Sequence, residues 1–453
     1  MRAALQPAPR RWLWVAGVAS FLTPFMGSSL NVALPVLGRE LAATPLHLTW
    51  IVNAFLITAA GALIPLGQLA DAWGRARVLT LGLGAQALCS LAAAWAPSVG
   101  LLVAARALQG VAGAATFATA VALVSQLAPP GQRGKLLGAN TALVYLGLTL
   151  GPPAGGWLAE RWGWRSIFTV TAGIALAGAL AGQSQVSPAS DSPRNSTVAG
   201  SWVFAPAVST TLAGLALARA DARFLFLTLV GLVGVGLSFI LSAVPPLPSV
   251  LFRNLAFVCS NLAAFLHYAA TFSVSLLLAL YLQLVGGFSP KTTGLVLLAQ
   301  PLFMALLSPL AGSLSDRFEP RWVASFGMAL TALGLLALSG AKAAVSLPLV
   351  ASGLVLLGVG FALFSSPNTH AIMSQAPVSL LSSASAILAL SRLSAQAVSL
   401  VLASVFLPRA SLHGGEAARL LIPGMRADLR ATAALCLVGI AFSLARGKVH
   451  NTA

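Results

Sequence analysis

Long apolar runs broken by short polar punctuation make up most of the chain. The run from Trp50 to Leu66 passes straight into Gly67-Gln68-Leu69-Ala70-Asp71-Ala72-Trp73-Gly74-Arg75-Ala76-Arg77, a turn that concentrates glycine, one acid and two arginines. A helix needs about 20 apolar residues to cross a bilayer. Runs of that kind occur near 12–36, 48–69, 77–96, 99–127, 135–158 and 164–182. The stretch from Gln183 to Thr197 is polar and reads as a solvated loop. Two runs near 198–218 and 223–244 follow, parted only by Arg219, Asp221 and Arg223, and six more lie near 254–285, 291–315, 321–340, 345–373, 380–407 and 430–446. The segment Ser411 to Arg430, with Glu416, Arg419, Arg426, Asp428 and Arg430, reads as too polar to span and as an external loop.

Because backbone groups in hydrocarbon must be satisfied within the segment, these runs are predicted to be helices. The alternation with a period of two that marks a membrane barrel is absent from the sequence. Six runs, two runs and six runs predict an all-α integral membrane protein of 14 transmembrane helices. Its expected parts are a six-helix bundle over 1–182, a loop with two inserted helices over 183–253, and a second six-helix bundle over 254–453. The punctuation recurs in the two bundles, as Gly67, Asp71 and Gly74-Arg75 in the first and Gly312 and Asp316-Arg317 in the second. Parallel repeats of this kind place a substrate cavity between the halves near mid-membrane.

Composition agrees with this picture. Hydrophobic residues make up 58% of the chain and charged residues 8%, against roughly 25% charged in soluble domains. The net charge of +17 comes from basic residues scattered singly between apolar runs, without the patch or stripe that a nucleic acid would need. Arg10-Arg11 precede a run longer than a secretory signal, so the first run is read as a retained span. Cys89, Cys259 and Cys436 sit inside apolar runs at spacings that fit neither a zinc site nor a disulfide framework. No metal cluster, nucleophile elbow or carboxylate pair accompanies the spans in the sequence, so no cofactor and no enzymatic activity are expected.

Several segments resemble the major facilitator superfamily, and within it the branch of drug:proton antiporters with 14 spans. They are Asn31-Val32-Ala33-Leu34-Pro35, Thr49-Trp50-Ile51-Val52, Leu251-Phe252-Arg253-Asn254, Tyr281-Leu282-Gln283, Gly287-Phe288-Ser289-Pro290, and Pro367-Asn368 with Ala371-Ile372-Met373. The resemblance implies a secondary transporter that exports lipophilic drug-like or metabolite compounds by alternating access, coupled to protons. The alternatives are a facilitator or metabolite exporter without proton coupling and, further off, a membrane receptor that transports nothing. The implied partners are the lipid bilayer, a small-molecule substrate and protons, with the protein a monomer in the plasma or inner membrane. In that family the turn holding Gly67, Asp71, Gly74, Arg75 and Arg77, with Asp316 and Arg317 as its weaker copy, acts as a conformational latch.

Within the spans, Arg106, Gln109 and Gly110 share one helix face by their spacing. An arginine there costs at least about 2.5–3.5 kcal/mol on insertion scales, so it must face a polar cavity or pin helices through backbone carbonyls. Gly147, Gly151 and Gly155 recur every fourth residue and let a neighbouring helix approach, while Pro152 and Pro153 should bend the helix. Packing alone accounts for this pattern; the resemblance makes it, with Gly156, a mark of exporters. Asn31, Gln283, Asn368 and Arg392 complete the cavity candidates.

Relatives usually carry an acid in the first span, where this chain reads Met26-Gly27-Ser28, and often another where it reads Ser125-Gln126. No Asp or Glu is expected deep within a span. His267 and His370 then remain as proton carriers or as helix-packing partners. Without a buried acid, neutral or anionic compounds are expected to be preferred over permanent cations.

Lys and Arg in short loops set orientation. Arg2, Arg10, Arg11, Arg75, Arg77, Arg133 and Lys135 of the first half fall on one side, and Arg39, Arg161 and Arg165 on the other. Both termini are therefore predicted to be cytoplasmic. A Ser98→Cys variant should react with an impermeant thiol reagent added outside cells, and an Arg133→Cys variant should not; the reverse labelling would invert the topology.

Overall fold

A computed structural model describes residues 7–127, 133–183, 201–218, 222–241, 249–377, 380–408 and 416–447. All regular structure among them is helical. The first six helices are α1 (Pro7–Glu40), α2 (Pro45–Trp73), α3 (Arg75–Ala94), α4 (Val99–Leu127), α5 (Arg133–Trp162) and α6 (Arg165–Gln183). Then come α7 (Ser201–Leu217), α8 (Leu225–Leu241) and the short α9 (Ser249–Phe252). The remainder is α10 (Leu255–Thr271), α11 (Val274–Leu280) with a π-helical turn over Tyr281–Val285, α12 (Pro290–Leu297), α13 (Ala299–Arg317), α14 (Pro320–Leu338), α15 (Leu347–Ser374), α16 (Leu381–Phe406) and α17 (Glu416–Ala445).

Among the described residues, 11 segments are long and apolar enough to cross a membrane. Two shorter apolar helices, Val203–Leu217 and Leu225–Ser238, lie in α7 and α8. Local chemistry sets the helix ends. Asn254 caps α10 by accepting from the amides of Ala256 at 2.9 Å and Phe257 at 3.3 Å. Ser289 caps α12 by accepting from the Thr292 amide, with Pro290 at the first helical position.

One sequence expectation fails outright. Residues 416–430 do not form an external loop but belong to α17, whose apolar span runs from Arg419 to Ala445. The polar groups are accommodated singly. Arg426 donates from Nε and Nη2 to the Ala341 carbonyl at 2.8 and 2.6 Å, Arg430 stays exposed, and Asp428 is buried. Residues 411–415, like the loop expected over 184–197 and the residues Arg219 and Asp221, lie outside the described residues.

The chain divides into two compact units. The first comprises Met1–Ser28, Ile51–Gly151 and Trp162–Pro246. In it Trp12, Val15, Ala19 and Leu22 of α1 pack with Leu79 and Leu83 of α3, Leu123 of α4 and Ala175 of α6. The inserted α7 lies against α2, where Ser209 donates to the Ile57 carbonyl at 3.4 Å. The second unit comprises Ser29–Trp50, Pro152–Arg161 and Leu247–Ala453. Its core joins Phe257 and Ala264 of α10, Met328 of α14, Phe364 and Ile372 of α15, and Leu388 of α16. Large apolar side chains point outward in both units, among them Leu88 at 70% exposure and Leu306 at 63%. Lipid, not water, is the solvent that suits such a surface.

The glycine face of α5 packs as its spacing predicts. A Cβ on Gly147 would lie 2.5 Å from the Phe21 carbonyl oxygen, and one on Gly151 would strike Ser28 Oγ. One on Gly155 would come within 2.5 Å of the Ser29 Cα. Further along, Gly156 and Gly294 each meet backbone, at Pro290 and Pro152 respectively. Gly155→Ala should therefore lower stability by about 1–3 kcal/mol through overpacking, read as a lower apparent Tm of the detergent-solubilised protein. Gly27→Ala, with no neighbour within 4 Å of the added carbon, should leave it unchanged. Equal Tm values for both would remove the steric reading.

Candidate functional site

Arg106 is almost fully buried, at 2% exposure, about two turns into α4. Its Nε donates to the Ile51 carbonyl of α2 at 3.1 Å, which is the helix-pinning contact. Its Nη1 donates to Gln109 Oε1 at 2.6 Å and approaches Met26 Sδ at 3.8 Å. The Gln109 amide in turn donates to Ser90 Oγ at 2.7 Å and to Met26 Sδ at 3.1 Å, and Gln86 reaches the same sulfur at 4.0 Å. The Phe55 ring covers the guanidinium, 4.5 Å from its carbon to the ring centroid. Met26, in the Met26-Gly27-Ser28 stretch of α1, is thus the shared acceptor of a polar network. A thioether is a weak acceptor, so the positive charge of Arg106 is solvated but not neutralised. Gly110 lets this face close on α2, since a Cβ there would strike Thr58 Oγ1 and the Phe55 carbonyl. Thr58 adds a hydrogen bond to the Ala107 carbonyl at 2.7 Å.

The turn between α2 and α3 has its own geometry. Gly74 caps α3 at φ 97°, a backbone region that L side chains rarely adopt, which accounts for glycine at this place in the motif. Arg75 donates from Nη1 to the Ala122 carbonyl and to Gln126 Oε1, both at 3.5 Å, so it ties the turn to the end of α4. Arg77 is exposed. Gly67 has only Ala118 Cβ near, at 3.8 Å from an added carbon, so bulk alone does not require glycine there. Asp71 ends α2 and Asp316 ends α13; their side chains lie outside the described ones. Arg317 is exposed on the last turn of α13, beside a recess of about 540 Å³ lined by Phe318, Glu319, Trp322 and Phe326.

In the second unit the candidates fall into three places. His267 is fully buried with neither ring nitrogen hydrogen-bonded among the described residues, 4.1 Å from Phe364, 5.2 Å from Phe361 and 6.3 Å from Tyr268 between centroids. Arg392 sits over the other neighbour of this aromatic set, 5.3 Å from the Tyr268 centroid, and donates to Thr369 Oγ1 at 2.9 Å. His370 is exposed. Asn368 donates to the Ser260 carbonyl at 3.1 Å and accepts from Arg446 Nη1 at 2.8 Å. Gln283 donates to the Val32 carbonyl at 2.7 Å, while its Oε1 and the Oδ1 of buried Asn31 have no partner among the described residues. Close by, the Lys291 amide donates to Glu160 at 3.1 Å. Hydrogen bonds from Ser289 and from that amide hold the Glu160 carboxyl below the usual carboxylate range.

The expectation that no acid lies deep within a span is also wrong. Asp428 is fully buried within the span of α17. Its Oδ2 accepts from Ser273 Oγ at 3.4 Å, and its Oδ1 has no partner among the described residues. The signal was present in the chain. Leu421, Met425, Leu429, Thr432 and Cys436 are all buried at helical spacing, and Asp428 falls on their stripe.

A polytopic helical protein with internal polar networks and an apolar exterior belongs to the class of integral membrane proteins. The sequence profile of the Major Facilitator Superfamily matches residues 16–250 and 261–450, and the chain belongs to that family. It is a transporter and not an enzyme. It is 29% identical to the riboflavin transporter RibZ of Clostridioides difficile (strain 630), over 81% of this chain and 82% of that protein. It is 31% identical to the multidrug resistance protein Stp of Mycobacterium tuberculosis (strain CDC 1551 / Oshkosh), over 84% and 72%. It is 29% identical to the tetracenomycin C resistance and export protein of Streptomyces glaucescens, over 83% and 72%. In fold it is similar to a peptide transporter POT solved in complex with sulfate, with a TM-score of 0.72 and 16% identity over 97% of this chain and 95% of that one.

Arg106→Ala should lower the initial rate of transport at least about tenfold, equivalent to ~1.4 kcal/mol, with the protein still inserted and monodisperse. Arg106→Lys should rescue poorly, because an ammonium cannot reproduce the planar fork that reaches Ile51 and Gln109 together. Wild-type rates in Arg106→Ala, measured in proteoliposomes, would reduce the residue to helix pinning.

Proposed function

We propose that the chain is an exporter of lipophilic drug-like or metabolite compounds, working by alternating access in the bacterial plasma membrane with both termini cytoplasmic. The observation that carries this reading is the glycine face of α5, closed on α1 and on the start of α12. In the orientation argued from the basic loops, these contacts lie at the outer ends of the helices. Gly156 and Gly294 against Pro290 and Pro152, Gln283 on the Val32 carbonyl, and Glu160 on the Lys291 amide would then form an outer gate. Export requires that gate to part after substrate enters from the cytoplasm. The latch of Gly67, Asp71, Gly74, Arg75 and Arg77, with Asp316 and Arg317, serves the opposite side and holds it closed when the gate opens.

A 14-helix architecture supports the placement in the antiporter branch. It counts the 11 long spans, α5, and the short apolar helices in α7 and α8. The six-helix bundles are then 1–182 and 254–453, with 183–253 as the insertion. The protein acts as a monomer within the bilayer. Two relatives carry names that assign riboflavin and tetracenomycin C to them, and this points to planar polycyclic compounds as the first substrates to try. Arg106 and Arg392, whose described partners include no acid, favour neutral or anionic compounds over permanent cations.

Everted membrane vesicles containing the overexpressed protein should take up riboflavin or tetracenomycin C faster than control vesicles. They should show less uptake of the quaternary cation tetraphenylphosphonium. Uptake of neither neutral compound, or a clear preference for the cation, would overturn the reading.

A further inference from the structure

Asp428 is a buried carboxylate that the transport reading leaves without a role. It is fully enclosed, and among the described residues one oxygen has no hydrogen-bond donor and the other receives a single long bond from Ser273 at 3.4 Å. A structural acid in an apolar interior is ordinarily paired or fully hydrogen-bonded. Here the charge has neither form of compensation.

The helices packed against α17 are α10, α14, α16 and the π-helical turn after α11. Among the described residues none of their ionisable groups is hydrogen-bonded to Asp428. His267 lies in its aromatic shell, Arg392 is on Thr369 and Tyr268, Arg321 lies over Trp322, and the Tyr281 hydroxyl donates to the Lys342 carbonyl at 2.6 Å. On α17 itself, Arg426 is held by the Ala341 carbonyl and Cys436 is a buried thiol. Among the described residues the only side-chain partner of Asp428 is Ser273.

Ser273 occupies a special place. It sits between α10 and α11, and its amide donates to Ser399 Oγ of α16 at 3.0 Å. A hydroxyl donates one hydrogen bond and accepts others. The Ser273 hydroxyl therefore suits both states of its neighbour, donating to the carboxylate and accepting from the neutral acid. A lysine or arginine partner, which can only donate, would lock the charge instead.

We propose that Asp428 is a proton-binding site of this transporter, loaded and emptied at the interruption between α10 and α11 with Ser273 as its positioning residue. The neutral acid gives its proton to solvent water and becomes a carboxylate held by the Ser273 hydroxyl; the reverse step takes the proton back. The site assignment stands on the geometry alone, and only what the proton drives rests on the export reading.

Infrared difference spectra of the purified full-length protein against Asp428→Asn test the site without any substrate. The carbonyl band of a protonated buried carboxyl should be present at acidic pH, absent from the variant, and lost as pH rises. In Ser273→Ala the band should persist at a shifted frequency, as expected when a hydrogen bond to the carboxyl is removed. A band missing at every pH, or one that never titrates, overturns the proposal. In proteoliposomes, an imposed pH gradient should stimulate riboflavin or tetracenomycin C transport by wild type and by Asp428→Glu. Asp428→Asn should keep downhill transport and lose the stimulation. Full stimulation in Asp428→Asn, or dependence on a sodium gradient instead, overturns the assignment. If wild type moves neither compound, the export reading fails while the infrared titration still decides the site.

Discussion

Polar groups within a membrane helix have no water to turn to, and the rest of this molecule follows from where each one finds its partner. Backbone amides and carbonyls are satisfied by the helices themselves. Side chains are not, and their pairing brings distant helices together. Arg106 reaches a carbonyl of α2, a neighbour on its own helix and a sulfur of α1 at once. Arg426 takes the Ala341 carbonyl just beyond α14, and Gln283 takes the Val32 carbonyl in α1. Each contact costs little once formed and is expensive to leave unmade.

The second constraint is distance between backbones. Between lipid-exposed helices there is no hydrophobic drive to association, so close van der Waals packing takes its place. The glycines of α5 allow that packing against Phe21, Ser28 and Ser29 of α1, and Gly110 does the same for α4 against Phe55 of α2. Such dry, close-fitting surfaces hold when seated and leave few intermediate positions. This suits the alternating access proposed for the chain.

Where polar groups go unpaired, the structure points to chemistry. Met26 accepts from Arg106 and Gln109, a neutral acceptor in a network whose described members carry no negative charge. Asp428 has the opposite problem, a carboxylate with a single hydroxyl partner. The two sites lie in separate compact units.

The apolar runs, their lengths and their punctuation made the helical membrane fold legible from the chain, because a span is a local property of some 20 consecutive residues. The same holds for the glycine spacing of α5 and for Gly74, whose positive φ answers to a local turn. Residues 416–430 misled for the same reason: local polarity read as loop what three-dimensional partners made helix. Sequence could nominate Arg106, His267 and Arg392, but it could not assign them Met26, the Phe361 and Phe364 rings, or Thr369. Nor could it pair Asp428 with Ser273, 155 positions away. Burial and hydrogen-bond partnership are set by helices far apart in the chain, so only the tertiary structure decided which polar groups are satisfied and which are left to act.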